Sequence, residues 1–306
     1  MINLQKLAEQ YLATCKYQRG LDEKTIKAYR IDLSQFILFT GQSGIDLTRS
    51  GMLEYISDLN QRYKPRTIRR KIASVKAFCS YLEYEELITE NPFTKLHLKL
   101  NTPLILPRTI PFSVIETILA TAYQQGQREG LSEKQHKAWL RDIAVLELLF
   151  ATGMRVSELC ALKPSDVNLT EGEVKIYGKG AKERLVQIGN SAVLAALQTY
   201  KAQNYPAIEH IGMFFVNRLG NPLSDQSVRN IVTKYTQLAG EKLHITPHMF
   251  RHSFATLLLE EDVDIRYIQR LLGHSSIVTT QIYTYVSSRK QRDILSTKHP
   301  RNKVHI

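Results

Sequence analysis

"GEVKIYGKGAKERLVQIG" (172–189) is the one clear strand signal in the chain: two alternating segments flank a Gly-Lys-Gly turn, the pattern of a hairpin with one buried face. Much later comes a short apolar "MFFV" (213–216). Around them the chain reads as helix. "IPFSVIETILATAY", "WLRDIAVLELLFATG" and "RVSELCAL" lie upstream, and "SDQSVRNIVTKYTQLAG", "HMFRHSFATLLLEE" and "DIRYIQRLLG" downstream, each with apolar residues three and four apart. The polar "QQGQREGLSEKQHK" between the first two is a surface loop or a solvated helix extension. The expected class is mainly α, with an α+β second domain holding a small antiparallel sheet.

Further upstream, "ENPFTKLHLKLNTPLILPRTIPF" (90–112) has four prolines and little helical periodicity, and reads as an extended linker. Before it, "NLQKLAEQYLATCKY", "DEKTIKAYRIDLSQFILFT", "TRSGMLEYISDLNQRY" and "PRTIRRKIASVKAFCSYLEYEELI" carry helical periodicity. Asp22 and Thr48 or Ser50 suit N-caps, and Pro65 suits a first helical turn. Four helices in a small bundle are expected. The boundaries follow as residues 1–92, a linker over 93–110, a second domain over 111–296 and a tail over 297–306.

Composition bounds the function. A length of 306 residues suits two domains. The longest apolar run, "IAVLELLFATGM", contains Glu147 and is too short to span a bilayer. The amphipathic N-terminus is unlike a secretory signal, so a cytoplasmic location and no membrane partner are expected. Cys15, Cys79 and Cys160 are far apart with no CxxC pair, which argues against disulfides and a structural zinc site. The formal charge of +12 points to a polyanionic partner.

That charge has one concentrated source. Arg62, Lys64, Arg66, Arg69, Arg70, Lys71 and Lys76 fall in fifteen residues without an acid. The helix's apolar stripe (Ile68, Ile72, Val75, Phe78, Cys79, Leu82) leaves the arginines on the opposite side. A ridge of this kind is either a solvated face or a contact for phosphates and a major groove. On the second reading, Arg66, Thr67, Arg69, Arg70 and Lys71 are the DNA-facing set.

No glycine-rich nucleotide loop follows a strand, and no Gly-x-Ser-x-Gly elbow appears. His248 and His252 are four apart in "HMFRH" but lack the glutamate of a zinc protease helix, a third ligand and an acid cluster for magnesium. Chemistry without metal or cofactor is therefore expected. "ATGMRVSEL" ends one helix at Gly153 and starts another, placing Arg155 at a helix N-terminus, either as an anion ligand or as a surface partner of Glu158. "TPHMFRHSFAT" sets His248 and Arg251 on one helical face, as a cap and an ion-paired arginine or as site residues. A phosphodiester passing through a pentacoordinate transition state has uses for such a set: two guanidiniums on non-bridging oxygens, a base for the nucleophile and an acid for the leaving oxygen.

"ATGMRVSEL", "GKGAKERLVQI", "TPHMFRHSFAT" and "LLGHSSIVTTQIYTYV" stand in this order behind a small helical domain. Together they resemble the tyrosine recombinase (phage integrase) family, closest in layout to the Xer-type enzymes, over essentially the whole chain. The resemblance implies an N-terminal SAM-like core-binding domain and a catalytic domain. It matches Arg155 and Arg251 to the two clamp arginines and Lys179 to the lysine that protonates the departing 5′ oxygen. His248 matches the acceptor of the tyrosine proton, His274 a phosphate hydrogen-bonder, and Glu158 an acid orienting the arginine side. Lys175 and Lys182 lie close to Lys179, which alone sits between two glycines. The implied chemistry is a 3′-phosphotyrosyl link formed without ATP or metal, by a homotetramer on double-stranded DNA with inverted-repeat core sites, with or without a second recombinase or accessory protein. The tail resembles the segment by which such enzymes pack on a neighbouring protomer. With the bundle starting at the head of this sequence, the layout is expected to differ from that of integrases with a further domain for distant arm sites.

"IVTTQIYTYV" contains two tyrosines. Read as a continuous helix, it puts Val278, Ile282, Tyr285 and Val286 on one stripe, with Tyr283 roughly 140° away. Tyr285 is then expected to pack and Tyr283 to reach out, and the family spacing from "LGH" also selects Tyr283. Two other readings use the same residues: a DNA-binding factor of this fold without catalysis, and a type IB topoisomerase.

Overall fold

The computed structural model describes residues 3–44, 46–94, 96, 106–178, 183–274, 276–281 and 283. The chain divides into two compact units, Met1–Leu104 and Ile105–Ile306.

The first unit is a bundle of α1 (Leu4–Tyr17), α2 (Glu23–Ser43), α3 (Arg49–Arg62) and α4 (Pro65–Tyr84). Local chemistry starts each helix. The side chains of Asn3, Asp22 and Thr48 accept from backbone N–H groups in the first turn, and Pro65 opens α4, where a missing N–H costs nothing. Tyr11, Cys15, Leu33, Phe36, Met52, Val75, Phe78 and Leu82 fill the core, with Phe36 edge-on to Tyr55 at 4.9 Å between ring centres. Phe93 closes it from beyond α4.

One buried polar knot corrects the expected basic ridge. Asp32 of α2 is fully buried and receives Arg70, Lys71 at 3.3 Å and the Ser74 hydroxyl at 2.8 Å. Lys71 is only 2% exposed and also donates to Gln35. It therefore faces the core, because a buried carboxylate requires a cation and Lys71 flanks the apolar stripe. Arg66, Arg69 and Arg70 are exposed and Thr67 is half-buried.

The second unit is built on α6 (Glu133–Thr152), whose residues 143–146, 148 and 149 are all buried. A helical stretch buried on every side belongs in a core. Around it stand α5 (Phe112–Gln125), α8 (Ser191–Ile211), α9 (Asp225–Leu238) and α10 (Pro247–Glu260). Short α7 (Val156–Cys160), α11 (Ile265–Leu272) and α12 (Val278–Gln281) complete the α-helices among the described residues, and a 3-10 turn spans Pro164–Asp166. The hairpin is β2 (Glu173–Tyr177) paired antiparallel with β3 (Glu183–Gln187), and β1 (Val167–Asn168) adds to β2. The "MFFV" run stays outside this sheet: Phe214 and Phe215 are buried against Tyr200, and Val216 makes an isolated bridge to Pro222. No helix among the described residues is long and apolar enough to cross a membrane.

Candidate active site

One chain reversal that builds the site follows α6, where Gly153 takes φ 57° and α7 begins with Arg155 as its N-cap. A Cβ on Gly153 would lie 2.5 Å from Phe254, so glycine is needed for both conformation and space. The Arg155 backbone N–H donates to Glu158 at 2.8 Å and its guanidinium to the same carboxylate at 2.7 Å. Both sequence readings of Arg155 meet here: it pairs with Glu158, yet 34% of its side chain stays open.

Arg251, on α10, is 4% exposed. Its guanidinium donates to the Gly153 carbonyl at 2.8 Å and the Leu272 carbonyl at 2.6 Å. These carbonyls end α6 and α11, where backbone acceptors lack helical partners and the helix dipole is negative. Burial, then the neighbouring Arg155 charge, lower the Arg251 pKa to about 10, which still leaves it cationic at neutral pH.

Three histidines line the same region. Burial, followed by Arg251 and Arg155, lowers His248. Burial, followed by His248 and Arg251, brings His252 to about 4, and burial with Arg251 and Arg155 does the same to His274. Nδ1 of His274 lies 2.9 Å from the Thr280 hydroxyl, and its ring stacks on Tyr283. The site thus carries two guanidiniums beside neutral imidazoles, a field suited to a bound anion.

Tyr283 corrects the expectation that it reaches outward. It is 1% exposed, packed with Ala255, Ile268 and Leu272. The physical reason is that α12 ends at Gln281 and Tyr283 lies in a turn, its N–H bonded to the Thr280 carbonyl, so the helical phase does not extend to it. Burial raises its hydroxyl pKa, and Arg251 and Arg155 pull it back in part. Tyr285 lies outside the described residues.

Two residues escaped the sequence reading. His252, weighed there only as a metal ligand, has Nδ1 3.0 Å from the Tyr283 hydroxyl. Its position one turn after His248 was the available signal. Arg184, in β3, donates through Nη1 and Nη2 to Glu158 at 3.1 and 2.7 Å and through Nε to the Leu271 carbonyl at 2.8 Å. Its signal was an arginine in register with inward Val186 on the hairpin. Burial alone pushes the Glu158 carboxyl up, but hydrogen bonds from Arg184 and Arg155 more than offset this and hold it below the usual carboxylate range. Lys175 pairs with Glu183 at 2.8 Å, while Lys179 and Lys182 lie outside the described residues. Among the described residues no group of three His, Cys, Asp or Glu could hold a metal ion.

The chain is similar to known proteins along its full length. The phage integrase family profile matches residues 109–290 and the phage integrase N-terminal SAM-like domain residues 8–86. A tyrosine recombinase of Agathobacter rectalis is 54% identical over the whole of both chains. Tyrosine recombinase XerD of Halalkalibacterium halodurans is 36% identical, covering 96% of this chain and 97% of that protein. Tyrosine recombinase XerC of Bacillus subtilis is 34% identical, with 98% of each covered. In fold, the chain is similar to a crystal structure of the XerH site-specific recombinase in a post-cleavage complex with palindromic difH substrate (TM-score 0.76, 22% identity, 95% of this chain and 84% of that one). On these grounds the chain belongs to the phage integrase family of tyrosine recombinases and has the site-specific recombinase activity of that family.

Proposed function

We propose that this protein cuts and rejoins two double-stranded DNA core sites through a covalent bond between Tyr283 and a 3′ phosphate. What carries the reading is the Tyr283 hydroxyl held 3.0 Å from the His252 imidazole, where the charges of Arg155 and Arg251 act on both Tyr283 and His274. Arg155 and Arg251 clamp the non-bridging oxygens of the scissile phosphate, and His274 donates a further hydrogen bond. The Tyr283 oxygen attacks phosphorus as its proton passes to His248. The 5′ oxygen leaves and takes a proton from Lys179. A 5′ hydroxyl from the partner strand then attacks the phosphotyrosine and restores the tyrosine. Each step exchanges one phosphoester for another, so no ATP is consumed.

The first unit, through Arg66, Thr67, Arg69 and Arg70, holds the flanking duplex, and a homotetramer acts on two inverted-repeat sites in the cytoplasm. The product is a resolved DNA multimer or an integrated or excised mobile element. Full-length likeness to proteins named XerC and XerD supports this Xer-type role.

The test starts from sites selected out of random duplex DNA. A selected site carrying a nick beside the scissile phosphate should trap an SDS-resistant protein–DNA adduct with the native chain and none with Tyr283→Phe. Tight binding without any adduct would make the chain a DNA-binding factor. Relaxation of supercoiled DNA lacking the site, without recombination of paired sites, would make it a topoisomerase.

A further inference from the structure

Arg184 differs from Arg155 and Arg251 in that Nε and both Nη atoms of its guanidinium have protein partners. The two Nη atoms meet the Glu158 carboxylate side by side and Nε meets the Leu271 carbonyl. Its side chain is 11% exposed. A fork engaged through all three nitrogens is well placed to fix what it touches.

What it touches leads to both clamp arginines. Glu158 receives Arg184 and, with the same two oxygens, the backbone and guanidinium of Arg155. Leu271 precedes Leu272, whose carbonyl receives Arg251. Gly273 follows at φ 63°, and a Cβ there would stand 3.0 Å from Nη1 of Arg184, so the turn into His274 is shaped around this guanidinium. One side chain of β3 is thus joined to the start of α7 and to the end of α11.

We propose that Arg184 is a positioning residue that sets the spacing of the two clamp arginines, holding Arg155 through Glu158 and Arg251 through the last turn of α11. It acts only through other residues and touches no reacting atom. The inference rests on the strand-transfer reading of this site.

The experiment uses the full chain and a nicked core-site duplex at saturating protein, with single-turnover adduct formation and duplex affinity measured separately. Native protein forming no adduct would defeat the strand-transfer reading itself. With the native adduct in hand, Arg184→Met should slow its formation about 10- to 100-fold while leaving the Kd for duplex within about twofold, since no phosphate contact is removed. Arg184→Lys keeps the charge but not the fork, and should remain at least about tenfold slow. A neutral methylphosphonate at the scissile position needs less clamping and should narrow the Met deficit. Native rates in the Met or Lys variant would overturn the proposal. So would a Met deficit equal on charged and neutral phosphates and accompanied by an equal loss of duplex affinity, which marks a folding defect.

Discussion

The Tyr283 hydroxyl and Nδ1 of His252 stand 3.0 Å apart, joining the turn after α12 to the middle of α10. With its pKa lowered to about 4, His252 is neutral near pH 7, so its Nδ1 can accept a hydrogen bond from the phenol that holds the hydroxyl in place. The nucleophile is therefore held inside the site before DNA arrives.

That burial predicts a pH dependence of stability. His252 and His274 have folded values near 4 against an ordinary 6.5, so the unfolded chain binds more protons than the folded one between these values. Stability then rises with pH across this window: it is complete above about 6.5 and lost progressively as pH falls toward 4. The single tryptophan, Trp139 of α6, reports the second unit alone. Its urea midpoint should fall between pH 7 and 4.5, and His252→Asn should flatten the slope. An unchanged slope would show that His252 is not buried neutral.

In the first unit, Arg66 and Lys71 should separate binding from folding. Arg66→Ala should lower the slope of log affinity against log salt by about one, the loss of roughly one phosphate contact, with no change in melting. Lys71→Met should leave that slope alone and lower stability by about 3 kcal/mol or more, because Asp32 stays buried with part of its charge uncompensated. A reduced salt slope for Lys71→Met would return that lysine to the DNA-facing set.

Gly153→Ala strains both backbone and packing. The residue sits at φ 57° with Phe254 and Leu272 against the place a Cβ would take, so a cost of about 1–3 kcal/mol is expected. Because the Gly153 carbonyl holds Arg251, adduct formation should fall more steeply than duplex affinity. Equal losses in both would mean that the glycine serves folding alone.

The helices and the hairpin were legible because their periods record burial directly: alternation set β2 and β3, and three- and four-residue spacing set α1 to α4 and α6. Caps such as Asp22 and Thr48 were legible because they act within three residues. What the pattern could not carry is contact across distance. The Tyr283–His252 pair spans 31 residues and Arg184–Leu271 spans 87, and neither leaves a local trace. Lys71 was placed with its basic neighbours because the helical stripe marks apolar positions, whereas its inward turn depends on Asp32 in another helix. The outward phase given to Tyr283 assumed a helix that stops at Gln281.

Arg251→Lys gives a last test, of geometry against charge. The arginine spans two carbonyls, of Gly153 and Leu272, from a position 4% exposed. A lysine ammonium, a compact point charge, cannot hold both carbonyls and the phosphate in one plane, so adduct formation should drop by about 10²- to 10³-fold. Burial also favours the neutral amine, which for a lysine starts from a lower pKa than for a guanidinium. The residual activity of the lysine variant should therefore decline with rising pH at values where the native rate is still flat. A pH profile parallel to that of the native protein would mean that the ammonium stays charged and that lost geometry alone accounts for the defect.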